Sequence, residues 1–106
     1  MMQTTAEVMA ILIQQRNTLA AHTHNLSGAA GRYLWTTIDD VNEEIDRLTA
    51  NALASAAYVP QSDPFKPVTD AGRQFIGTLN DIKSIFSAAN DVVGAATSIL
   101  GVVLAI

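Results

Sequence analysis

The chain has 106 residues, of which 49% are hydrophobic and 15% charged, with a formal net charge of -4. That length suits one domain around one core, and the balance is too apolar and too weakly charged for a disordered chain. Its six basic residues fall singly from Arg16 to Lys83, which excludes the clustered cationic face that nucleic-acid binding needs, and with no cysteine there is no disulfide, thiol catalysis or thiolate metal site.

The first segment, MMQTTAEVMAILIQQR, carries Glu7 early and has no basic leader ahead of its short apolar run. It reads as a structural helix and not as an export signal, which makes cytoplasmic the default location. A first helix is expected over residues 4–26, with Thr4 or Thr5 as its cap. Val8, Leu12, Leu19 and Leu26 form its apolar seam, and Gln15 and His22 occupy the seam positions between them. One heptad apart, these two read as a buried polar layer of the kind that fixes register between helices. His22 and His24 lie on different faces of a regular helix and cannot chelate one metal. Asn25-Leu26-Ser27 matches the glycosylation pattern, but without an export signal it is assigned no role. The following Ser27–Gly31, SGAAG, places two glycines close together and reads as a turn, the alternative being one long helix with a kink.

A second helix is expected over residues 33–58. Leu34, Ile38, Val41, Ile45, Leu48, Ala52, Ser55 and Val59 follow in steps of four and three, the pattern of a helix packed at a shallow crossing angle. Asp39, Asp40, Glu43, Glu44 and Asp46 flank this seam. Pairs of them have the spacing to clasp a divalent cation, yet the Glu-x-x-His pairs of helical di-metal bundles are missing. They read as a solvated helix face, with Glu43 paired to Arg47, and no metal or cofactor is expected. Tyr33 and Trp35 read as a cap on the end of the bundle. Pro60, Pro64 and Pro67 then impose a loop over residues 60–67, which Phe65 pins to the core.

The third expected helix spans residues 69–104, capped by Thr69 or Asp70. Its seam runs Phe75, Leu79, Ile82, Phe86, Ala89, Val93, Ala96, Leu100, Val103. A continuous helix of that length extends roughly 50 Å. Its opposite face runs Gly77, Asn80, Ser84, Ser87 and Asp91, polar as a solvated face should be, then becomes merely small at Gly94, Ser98, Gly101 and Ala105. Ile85, Val92, Ile99 and Ile106 form a third row, and no charged residue follows Asp91. A helix end that is apolar or small all round is surrounded by something other than water.

The fold class expected is therefore all-α: one domain, an antiparallel bundle of three main helices, completed by oligomerisation. The interface expected comprises Val93, Gly94, Ser98, Leu100, Gly101, Val103 and Ala105, and its partner is a second copy, in a dimer, or a helical protein of another sequence. The alternative is a membrane-associated protein whose last helix inserts as an anchor or pore element. Too few apolar residues follow Asp91 for an ordinary span, which needs about 20. The motifs assemble no nucleophile, base and orienting group, and no phosphate loop or nucleophile elbow occurs, so no enzymatic activity is expected.

Overall fold

Thr4 starts the first helix, α1 (Thr5–Ala20), through a reciprocal capping box. Its hydroxyl accepts the Glu7 amide proton at 3.2 Å, and the Glu7 carboxylate accepts that of Thr4 at 2.9 Å. The chain then forms α2 (Gly28–Asn51), a 3-10 turn at Asp63–Phe65, α3 (Asp70–Ile85) and α4 (Asn90–Leu104). This computed structural model describes residues 3–24 and 26–105. Asn25, the acceptor of the glycosylation pattern, and Ile106, the last member of the third apolar row, lie outside the described residues. Among those described the fold is all-helical, with one isolated antiparallel bridge between Thr4 and Ala57 and no strand.

The structure departs from the expected helix boundaries at three places, each for a physical reason. The glycine-rich segment is the start of α2 and not a turn. Gly28 takes the left-handed value φ +69° at the very beginning of the helix. Gly31 is buried against the Leu26 backbone, so its missing side chain serves close approach, not flexibility. The turn instead falls on residues 21–24, where α1 has already ended.

Further along, α2 stops at Asn51, seven residues short of the expected end. Here the backbone finds other partners. The Thr5 and Ala6 amides donate to the Ala56 and Ala54 carbonyls at 2.9 and 3.0 Å, and the Tyr58 amide donates to the Gln3 carbonyl at 2.8 Å. The segment 52–58 thus lies alongside the entry of α1, satisfying amides that a helix start leaves free.

The third expected helix is two helices. α3 ends at Ile85, α4 begins at Asn90, and the chain reverses between them so that α4 packs on α3 and on α1. This bend resets the helical phase. The row facing the core in α4 is Val92, Ala95, Ala96, Ile99, Val102 and Val103, while Val93 and Leu100 of the extrapolated seam are only half-buried at its edge.

α1 packs against α2 and α4, α2 also against α3, and α3 also against the 3-10 turn, giving a body of 38 × 26 × 24 Å. Val8, Leu12 and Leu19 of α1, Leu34, Val41 and Leu48 of α2, Phe75, Leu79 and Ile82 of α3 and the inner row of α4 meet in one core. Phe65 is fully buried in it, its ring 5.1 Å from that of Phe75. The proline loop is pinned where its aromatic residue enters, as expected. Thr69 caps α3 by accepting the Gly72 amide proton at 2.9 Å.

Gly72 lies directly beneath that loop. A Cβ added there would overlap the Lys66 carbonyl and crowd Pro67, and both obstacles are backbone. Gly72→Ala is therefore expected to destabilise the fold by about 1–3 kcal/mol, the range for overpacking a closed site, and toward its upper end because the obstacles are backbone. Urea denaturation followed by circular dichroism measures it.

Candidate functional site

The first concentration of polar chemistry is a buried carboxylate. Glu44 is fully buried in the middle of α2, in a row running Leu34, Thr37, Val41, Glu44, Leu48. It does not belong to the solvated acidic face, where Asp39, Glu43 and Asp46 stand exposed. The Tyr58 hydroxyl donates to its Oε2 at 2.6 Å. The Ser62 amide and hydroxyl donate to Oε1 at 2.7 and 2.8 Å, and the Gln61 amide lies within 3.1 Å of both oxygens. A buried charge is tolerable only when its acceptor sites are filled, and here the returning loop fills them. Burial, followed by the hydrogen bond to Glu44, pushes the Tyr58 phenol well above its ordinary range, so it stays protonated and donating. The arrangement spends both carboxylate oxygens on holding residues 58–62 against α2.

On α2 near this point, Asp40 is half-buried. Burial, with Glu43 and Asp39 nearby, pushes its carboxyl up to about 6 from the usual 3.8. Glu43 pairs with Arg47 at 3.1 Å on the exposed side, as the spacing implies. Among the described residues no group of three or more histidine, aspartate or glutamate side chains is placed to hold a metal ion.

A second polar contact ties helix ends together. His22 Nε2 lies 2.6 Å from Asp91 Oδ2, joining the turn after α1 to the first turn of α4. The hydrogen bond from His22, together with the Val92 amide, holds the Asp91 carboxyl below its usual value. The polar layer expected of Gln15 and His22 is thus replaced. His22 is partly exposed and has its partner on another helix, and Gln15 is half-buried with no hydrogen bond to it. Their heptad spacing breaks down because α1 ends at Ala20, between them.

The residues expected to form an interface divide between two environments. Val103 is fully buried within the chain, and Val93 and Leu100 are half-covered. Gly94, Gly101 and Ala105 are exposed and Ser98 lies half-exposed beside them. Open space surrounds the Cβ position of both glycines. Leu104 stands 55% exposed on the same side. Beyond Asp91, whose carboxylate stands exposed in the first turn, the outward face of α4 carries no charge and is lined by small residues with Leu104 at its edge, while its inward face belongs to the core. Trp35, expected as a cap on the bundle, projects from α2 half-exposed, with Tyr33 partly buried. Val59 and Val68 flank an apolar depression on the proline loop.

Sequence reasoning missed Glu44, although the row that contains it steps by three and four. That step pattern is the signal by which its inward position could be found. No family model, curated protein or solved structure matches the chain.

Two predictions rest on these carboxylates. Glu44→Ala leaves four donors of the loop without their acceptor and is expected to cost about 3 kcal/mol or more, whereas Tyr58→Phe removes one charge-assisted bond and costs about 1.5–2 kcal/mol. Urea titrations of both variants measure the difference. Asp40 sets a pH dependence. Its folded pKa lies above the unfolded value, so the native state holds more protons between pH 4 and 6 and stability falls as pH rises through that window. Asp40→Asn is expected to flatten this slope and raise the urea midpoint at pH 7 while leaving it little changed near pH 4.

Proposed function

We propose that this chain is a non-enzymatic helical interaction module that self-associates through the outward face of α4. The observation that carries the reading is the pairing of opposite faces on one helix. The inward face is complete in a single chain, yet the outward face carries no charge from Val92 to Ala105 and is lined by Gly94, Ser98, Gly101 and Ala105. Small residues at these steps let a second helix approach with its backbone close. Leu104 and the half-covered Leu100 supply the apolar contact at its edge. Val103 contributes to the core behind this surface and not to the surface itself. A symmetric dimer closes such a patch on itself.

Absence of catalysis fits the one buried acid. Glu44 is the residue with the burial expected of a catalytic carboxylate, and its oxygens are occupied by the loop that it anchors. Insertion of the tail into lipid is the competing reading. It would require α4 to withdraw Val92, Ile99 and Val102 from the core, and no helix among the described residues is long and apolar enough to cross a membrane.

Sedimentation equilibrium at high micromolar concentration tests the proposal. The wild type is expected to dimerise reversibly. Gly101→Arg, placed in open space, is expected to be monomeric with an unfolding free energy within about 0.5 kcal/mol of the wild type. A wild type that stays monomeric there, or a Gly101→Arg variant that dimerises equally, contradicts it.

A further inference from the structure

We infer that α4 can be exchanged between two copies of this chain by straightening the bend at Phe86–Ala89. This goes beyond association through the outward face, because the inward face of α4 would change owner.

The bend lacks the devices that normally end one helix and begin another. α3 and α1 begin at capping threonines, but the cap position of α4 is Ala89, which offers no side-chain acceptor. The end of α3 is equally unmarked. Phe86 sits at φ -102°, ψ 29°, and the left-handed glycine that commonly closes a helix is missing: among the described residues Gly28 alone has positive φ. Phe86-Ser87-Ala88-Ala89 contains neither glycine nor proline, and its alanines are strong helix formers.

The helices on either side are compatible with a straight arrangement. The row Phe75, Leu79, Ile82, Phe86, Ala89, Val93, Ala96, Leu100, Val103 keeps the phase of one unbroken helix. In the bent chain α4 uses the neighbouring row of Val92, Ile99 and Val102 instead. Because α4 is apolar along both rows, its own pattern favours neither arrangement. Locally the bend has the Ala89 amide donating to the Phe86 carbonyl at 2.8 Å and the Val92 amide donating to Asp91 Oδ1 at 3.0 Å; the rest of what holds it is tertiary: packing on α1 and α3, and the contact between His22 and Asp91. A second copy can supply each of these tertiary contacts. Straightening one chain frees its α4 to occupy the same place on the partner's α1 and α3, which makes exchange inexpensive.

Asn90 offers a clean lock. It is the first residue of α4, where a helix amide has no intrahelical acceptor, and Ala89 before it is at φ -105°, ψ 90°, in the extended region that precedes proline. Asn90→Pro therefore fits the bent form and forbids the straight one. Since the chain has no cysteine, His22→Cys with Asp91→Cys introduces a unique pair that a short bismaleimide can bridge. After incubation at high micromolar concentration and dilution, bridging in the otherwise native chain is expected to yield covalent dimer in a fraction that rises with concentration. Adding Asn90→Pro is expected to lower that fraction by about tenfold or more with unchanged helicity, since proline inside a helix removes a hydrogen bond and clashes with the preceding turn. Adding Gly101→Arg is expected to leave it unchanged. Bridging that stays within one chain at every concentration overturns the exchange, even where the mass shows a dimer held by the outward face of α4. So does a covalent-dimer fraction that is insensitive to Asn90→Pro.

Discussion

Enclosure of α4 by α1 and α3 is the interaction on which the rest of the architecture depends. Val92, Ala96, Ile99 and Val103 have no exposed surface, and each large side chain so covered contributes about 1.5–3 kcal/mol. No other helix is so poor in charge, so no other helix has as much to lose in water. Reversal of the chain after Ile85 follows from this need, as does the placing of α1 between α2 and α4. The His22–Asp91 contact is partly solvated, and its part is to set where α4 begins against the end of α1.

Around that enclosure the long irregular stretch from Ala52 to Thr69 is held by polar bonds that apolar packing cannot provide. Its first part lies beside the start of α1, its middle is drawn onto Glu44, and Phe65 anchors its end against Phe75. A carboxylate in a helical core is costly unless every acceptor site is filled. The compensation here comes from backbone and side-chain donors of one loop, so burial of Glu44 and ordering of the loop are a single event. Gly72 completes the closure by letting the Lys66 backbone approach α3.

The parts of this fold that were legible in the sequence are those that local chemistry determines. Thr4 with Glu7 and Thr69 specify helix starts through their own side chains, and the seams of Val8 and Leu12, Val41 and Leu48, and Phe75 and Leu79 face the core as their spacing implies. What was not legible depends on distant partners. Residues 52–58 carry alanines suited to helix, yet their carbonyls are claimed by amides some fifty positions away, at Thr5 and Ala6. Gly28 and Gly31 resemble a break by composition, but one opens the helix and the other admits a close neighbour. The bend at Phe86–Ala89 has neither glycine nor proline nor a capping side chain at Ala89, and its local signals are only Lys83 in the last turn of α3 and Asp91 in the first turn of α4. The candidate site was half legible: the small face of Gly94, Ser98, Gly101 and Ala105 points outward, while Val103 was assigned to the same surface because phase was carried across a bend that interrupts it.

A helix that is finished on one side and uncommitted on the other explains why an uncharged carboxy-terminal segment need not be a membrane anchor. Val92, Ile99, Val102 and Val103 are covered by its own chain, while Leu104 and the small residues Gly94, Gly101 and Ala105 stand outside. Amide hydrogen exchange of the dilute protein, at concentrations where association is negligible, tests this division most directly. Amides of Val93 to Val103 are expected to exchange at least about a hundredfold more slowly than those of an unstructured peptide, as buried helices do. Exchange of that segment at near-peptide rates, with α1, α2 and α3 still protected, would show α4 detached from the core and contradict the account.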